Sequence, residues 1–221
     1  MTTGAFYGYY KSKEELFEAI VGEHYEYIRN RFIKAQQEFA ELPAAQQPEV
    51  MSDISGICMY DILYYAYEHL EECKLILCCS EGTKFAGLID EMVEIEVDGT
   101  HAYQDVLRQL GRPSPHIDPS LEHILITGML HTFFELIIHE MPLKDAENYV
   151  REMRAFYTAG WMKIMGQYCL IIFTCKLAVA NINSDIEEHR RVLFIINTKK
   201  RRNFFEKTIQ FITPAGNCRQ P

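Results

Sequence analysis

What this chain lacks narrows its chemistry at the outset. None of its seven cysteines forms a Cys-x-x-Cys pair, and the adjacent Cys78 and Cys79 belong to no ordered framework. They are expected to be reduced and mostly buried, as in a cytoplasmic protein. The eight histidines include no His-Glu-x-x-His unit. His123, His131 and His139 are too widely spaced for chelation within one helical turn, so no metal site is expected. No nucleophile elbow, phosphate loop or dinucleotide fingerprint is present. Glu94 and Glu96 lie two apart, and on a helix such a pair does not face itself. These absences argue against an enzyme and imply no cofactor. No run of about eighteen uncharged apolar residues occurs, so no transmembrane helix and no membrane partner are expected. The N-terminal residues lack a basic-plus-apolar leader, which argues against secretion. Strand alternation and internal repeats are missing before residue 167.

Positive charge is also scarce through most of the chain. Residues 1–166 hold 13 Lys and Arg against 27 Asp and Glu, whereas residues 167–221 hold 9 against 4. An acidic body argues against general nucleic-acid affinity, because release of counterions from DNA requires clustered lysine and arginine. Any DNA contact must come from a small surface near the N-terminus, where Lys11 and Lys13 are the only cations on offer.

What is present is helix after helix. From Ser12 to about Phe39, the positions Phe17, Val21, Tyr25, Ile28, Phe32, Ala35 and Phe39 recur every three or four residues. Ser12 with Glu15 makes a capping box at the start, and Pro43 and Pro48 bound the end. A second helix is expected from about Glu49 to Glu72, followed by a short apolar piece, Leu75–Cys79, that breaks near Gly82. A third long helix from Thr83 to Leu110 places Leu88, Met92, Gly99, Tyr103, Val106 and Leu110 on one face. Gly111, Pro113 and Pro115 mark a loop. Pro119–Glu140 and Leu143–Met165 then form a helical hairpin turned at Met141-Pro142.

The N-terminal stretch is the most pointed feature. Thr2 or Thr3 can cap a short helix, Phe6, Tyr9 and Tyr10 can dock inward, and Thr3, Gly4, Tyr7 and Gly8 lie outward. Small residues allow close approach to a DNA groove, and a tyrosine hydroxyl reaches a phosphate. Composition alone favours the plainer reading, an amphipathic N-terminus of an all-helical protein. The string Thr2-Thr3-Gly4-Ala5-Phe6-Tyr7-Gly8-Tyr9-Tyr10-Lys11-Ser12-Lys13-Glu14-Glu15-Leu16-Phe17, however, closely resembles the end of the TetR/AcrR repressor DNA-binding domain. Tyr7, Tyr9, Tyr10 and Lys13 fill the family's Tyr-x-Tyr-Phe-x-x-Lys core, with Tyr10 where phenylalanine is commoner. Glu135 to Gly166, ending Phe156-Tyr157-Thr158-Ala159-Gly160-Trp161, resembles the last helix of one branch of these regulators.

The resemblance spans roughly residues 2–166 and implies an all-α fold: a TetR-like ligand-binding and dimerisation domain with a partial helix-turn-helix at its N-terminus. Residues 1–11 would be the recognition-helix remnant, 12–166 the effector-binding and dimerising body, and 167–221 an atypical extension. It implies operator contact by Thr2, Thr3, Gly4, Tyr7, Gly8, Tyr9 and Lys13. A helix-turn-helix also needs the supporting helix that precedes recognition. With the first two family helices absent, operator binding by this chain is doubtful, and the second reading is a dimerising or ligand-binding module that has lost it.

Two further surfaces are expected in the body. Leu121 to Ile138 is apolar nearly all round, which a surface helix does not tolerate. One side of this hairpin can pack on its own domain and the other on a two-fold mate, and the resemblance, to a family whose last two long helices make the dimer, implies a homodimer interface at Leu121, Leu125, Gly128, Phe156, Gly160 and Trp161. The alternative is an ordinary core hairpin in a monomer. For a small-molecule effector, Tyr60, Tyr64 and Tyr67 fall at helical spacing, and Glu96 sits on an apolar face between Met92 and Gly99. A carboxylate there needs a partner. A pocket among Tyr64, Glu96, Tyr103, His131 and Phe134 is expected. Beyond Gly166, an apolar run is followed by the basic cluster Lys199-Lys200-Arg201-Arg202. This tract reads as a DNA- or membrane-touching tail or, more simply, as an extension of accidental origin.

Overall fold

Ser12 starts the first helix through its side chain. Its hydroxyl accepts a hydrogen bond from the Glu15 amide at 3.0 Å, and the Glu15 carboxylate accepts from the Lys11 amide at 2.5 Å. Both ends of the expected capping box are thus engaged, with the returning bond one residue earlier than in the usual arrangement. The computed structural model describes residues 10–167, all within one compact unit, Met1–Tyr168. Six helices occur among them, and no strands. They are α1 (Lys13–Ala40), α2 (Gln47–Glu68), α3 (Leu70–Cys79), α4 (Leu88–Gln109), α5 (Pro119–Ile138) and α6 (Leu143–Ile164). The expected recognition-helix residues Thr2, Thr3, Gly4, Tyr7, Gly8 and Tyr9, and the tail expected beyond Gly166, lie outside the described residues apart from Gln167.

The all-α class follows from the helical period of the apolar residues. In α1 the buried stripe is Val21, Tyr25, Ile28, Phe32 and Ala35, spaced three and four apart so that one face meets α2, α3 and α4. Polar ties fix that packing. Glu91 of α4 accepts from the Tyr25 hydroxyl at 2.8 Å and pairs with Arg29 at 2.6 Å, while Arg31 pairs with Asp61 of α2 at 2.7 Å. Helix α2 begins with Pro48 in its first turn, where a missing amide hydrogen costs nothing. It buries Cys58, Met59, Ile62, Leu63 and Ala66.

The expected second helix is two. His69 adopts a non-helical conformation (φ −131°, ψ 48°), and α3 starts after it. Helix α4 starts at Leu88, later than Thr83, because the intervening residues form turns that drive Phe85 into the core against Phe17 and Tyr25. Helices α4, α5 and α6 end alike. The amides of Arg112, Met141 and Gln167 reach back to Leu107, Leu136 and Met162 at 2.8–3.1 Å, each across a residue of positive φ. That residue is Gly111 (66°), Glu140 (50°) or Gly166 (72°), the left-handed link this type of helix end requires.

Although a tight turn joins α5 to α6, each packs mainly elsewhere, α5 on α3 and α4 and α6 on α2. Helix α5 is long and apolar enough to cross a membrane by length and composition. Its inner side, Ile126, Leu130, Phe133, Phe134 and Ile137, is fully buried within the unit, as expected of a core helix. Its remaining surface leaves Leu121 and Ile124 exposed.

Candidate functional site

Four helices leave a space between them instead of closing. The walls come from α1 (Phe32, Ala35, Gln36, Phe39), α2 (Met51 to Met59), α4 (Glu96 to Tyr103) and α6 (Val150 to Trp161), with Met129 of α5 and Met165 completing them. Five of the chain's nine methionines line this cavity, together with Phe32, Phe39 and Trp161. Thioethers on unbranched side chains adapt to a guest's shape. The cavity encloses about 130 Å³. An engineered apolar cavity of roughly 150 Å³ takes up benzene, so the space suits a body about one ring in size.

Three polar groups give the cavity its chemistry. Glu96 accepts a hydrogen bond from Gln36 Nε2 at 2.6 Å. Burial pushes its carboxyl up to about 7, and the Gln36 bond pulls in the opposite direction. Gly99 makes this approach possible, since a Cβ there would lie 2.3 Å from Gln36 Oε1. Tyr103 is 3 % exposed, packs edge-on against Phe39 at 5.5 Å, and its hydroxyl has no hydrogen-bond partner among the described residues. A buried polar atom left unsatisfied costs about 1–3 kcal/mol, which makes this hydroxyl a natural contact for a guest or a water.

Arg154 is the third group. Its guanidinium donates to the Ser52 carbonyl and lies over the Tyr60 ring, 5.8 Å from the centroid. It occupies the space that a side chain at Gly56 would fill; a Cβ there would fall 1.8 Å from Arg154 Cζ. Burial holds its pKa below the usual arginine value, and no carboxylate pairs with it at ion-pair distance among the described residues. Cys58 also borders the cavity, but burial pushes its thiol up to about 12, so it is no nucleophile at neutral pH. The arrangement is built to bind: a soft apolar enclosure with a half-buried cation, a carboxyl that burial pushes up to about 7 and an unsatisfied phenol.

No family model, curated protein or solved structure matches this chain.

Of the five residues expected in a pocket, Glu96 and Tyr103 line the cavity and the other three lie elsewhere. The Tyr64 hydroxyl donates to Glu147 Oε1 at 2.9 Å, in a polar tie between α2 and α6. Phe134 is fully buried against Phe133, and His131 is exposed. The reason is the roll of α5. It turns the Leu130–Phe134 side toward α3 and α4, so that Met129 is its sole contribution to the cavity wall. Tyr60 and Tyr67 are structural as well, bonding to backbone carbonyls of Glu147, Leu136 and Met141. Gln36 and Arg154 were missed. Gln36 was legible only as the neighbour of Ala35 in the α1 stripe, and nothing local distinguishes Arg154 from a surface arginine.

The expected interface residues divide. Phe156 is 73 % exposed, Leu121 and Gly160 are exposed, and Leu125 and Gly128 are half-buried. An added Cβ at Gly128 or Gly160 meets no neighbour within 4 Å, so both sit on open surface. Trp161 departs from this set. It lines the cavity and packs against the cluster of Tyr103, Leu107, Ile117 and Met165, facing inward where Phe156 faces out. Lys13 is the exposed first residue of α1. The expectation of no metal site rests on local spacing; in the fold His24, His69 and Glu72, far apart in sequence, come together.

Proposed function

We propose that residues 12–166 form the effector-binding, homodimerising body of a TetR-like one-component regulator, in which a small molecule seated in the cavity controls operator binding in the cytoplasm. One observation carries the reading. Helix α1, whose Phe32, Gln36 and Phe39 wall the cavity, runs unbroken back to Lys13, within the Thr2–Phe17 string. A guest that moves the C-terminal half of α1 has a rigid lever on that string. Such a guest shifts operator occupancy only by as much as it favours one position of the lever over the other. The cavity's chemistry supports a monocyclic, apolar guest with an anionic or hydrogen-bonding end facing Arg154 or Tyr103, and a binding role, not a catalytic one. The exposed face of Leu121, Ile124, Phe156 and Gly160 supports pairing of two copies about a two-fold axis.

The excess of acidic over basic residues in 1–166 favours a second reading: a dimerising, ligand-binding module that does not read DNA. One experiment separates the two. The full chain is used to select from a randomised duplex library, and guest binding is followed in parallel. Trp161 is the chain's single tryptophan and stands in the cavity wall, so its fluorescence reports a guest directly. Benzoate and phenylacetate are the probes. Enrichment of a palindromic sequence with a fluorescence response supports the regulator. A fluorescence response without enrichment supports the module, and no response to either probe removes the cavity from the argument.

A further inference from the structure

We infer that His24, His69 and Glu72 form a binding site for a divalent first-row transition-metal ion, of the Zn²⁺ class, that clamps α1 to the junction of α2 and α3. The site is independent of the cavity and of the regulator reading.

The three residues come from three places that only the fold unites: the middle of α1, the break between α2 and α3, and the first turn of α3. One ligand atom from each, an imidazole nitrogen from either histidine and a carboxylate oxygen, lies within 4.8 Å of the others. Bonds of about 2.0–2.2 Å in a tetrahedral site place ligand atoms about 3.4 Å apart, so the set must draw in by roughly an ångström. It is free to do so. His69 is the non-helical residue at the break, and Glu72 is only half-buried one turn later. His24 is 4 % exposed and already held.

The surroundings resemble a supported metal site more than a chance cluster. The Tyr65 hydroxyl meets His24 Nδ1 at 2.9 Å, fixing the ring and leaving its other nitrogen for coordination. The His24 and His69 rings lie 4.6 Å apart, and Tyr65 packs on both. Glu23, 3.6 Å from His24 Nε2, adds negative charge beside the site. Two imidazoles and one carboxylate favour zinc, nickel, cobalt or copper over magnesium or calcium, which take all-oxygen sites. Three protein ligands leave a position for water or an exogenous group. The neighbouring Cys73 is fully buried and outside the set.

The test uses the full chain, stripped with EDTA and titrated with Zn²⁺ by calorimetry and with Co²⁺ by visible absorption. The expected result is one high-affinity equivalent, with cobalt d–d bands of nitrogen and oxygen ligation and a higher unfolding temperature when the ion is bound. His69→Asn and Glu72→Gln, both at half-buried positions that tolerate change, should weaken Zn²⁺ at least tenfold. Cys78→Ser with Cys79→Ser, at exposed thiols, should leave it unchanged. Wild-type affinity and stoichiometry in both His69→Asn and Glu72→Gln would overturn the site. So would a cobalt spectrum dominated by thiolate charge transfer, or the lack of any stoichiometric binding.

Discussion

Replacing Glu96 by glutamine should make the protein more stable at neutral and alkaline pH, although it removes a group bonded to Gln36. The amide is nearly isosteric, and its carbonyl still accepts from Gln36 Nε2, so the packing around Gly99 is kept. What changes is the charge. In the folded chain burial raises the Glu96 carboxyl from 4.5 to about 7. A raised carboxyl means that the native state holds its proton more tightly than the unfolded chain does. Its stabilising contribution is therefore complete below about pH 4.5 and is lost as pH rises through about 7. A tenfold gain in proton affinity corresponds to about 1.4 kcal/mol, and a rise of this size sets a ceiling of about 3 kcal/mol. Glu96 is half-buried, not sealed, so solvent reaching it screens part of that cost. About 1–2 kcal/mol is the reasonable expectation. Urea unfolding of both proteins at intervals from pH 5 to pH 8 measures it, because common titrations cancel in the difference. The stability of the variant minus that of the wild type should rise by about 1–2 kcal/mol across the range. A difference that stays flat, or that falls with pH, would mean that Glu96 is fully hydrated and that the cavity does not desolvate it.

Phe156→Asp places a charge on the most exposed large apolar side chain of α6; under the proposed pairing, light scattering should give the wild type the mass of two chains and the variant that of one, with the helical circular dichroism retained. An unchanged dimer would move the interface to another face. Gly56→Ala tests the seat of Arg154. Helix propensity alone would gain about 1 kcal/mol, but the new Cβ, 1.8 Å from Cζ, must expel the guanidinium from Ser52 and Tyr60. A charged hydrogen bond is worth about 1.5–3 kcal/mol, so the urea midpoint should drop by the equivalent of about 1 kcal/mol; a rise would show that Arg154 contributes nothing there.

The helices were legible in the sequence wherever their signals were local. Ser12, Pro48, Asp118-Pro119 and Met141-Pro142 mark starts and turns by their own chemistry. The Val21–Ala35 stripe names the buried side of α1 without reference to any neighbour. The two departures have tertiary causes. No glycine or proline announces the break at His69, whose ring packs on His24 and Tyr65 from a different part of the chain. The late start of α4 depends on Phe85 finding Phe17 and Tyr25. The cavity divides in the same way. Glu96, Gly99 and Tyr103 share one face of one helix, so spacing groups them. Arg154 matters only because of Gly56, far away in sequence, and no period links the two. Even so, a usable signal is present. Glycine in the middle of a helix costs about 1 kcal/mol against alanine, and both Gly56 and Gly99 carry that cost inside long helices. At each, a single methyl group would collide with a polar side chain lining the cavity, Arg154 in one case and Gln36 in the other. At these two positions the glycine marks where a polar side chain of the cavity wall is received from another helix, whereas a Cβ at the mid-helix Gly128 or Gly160 meets no neighbour within 4 Å.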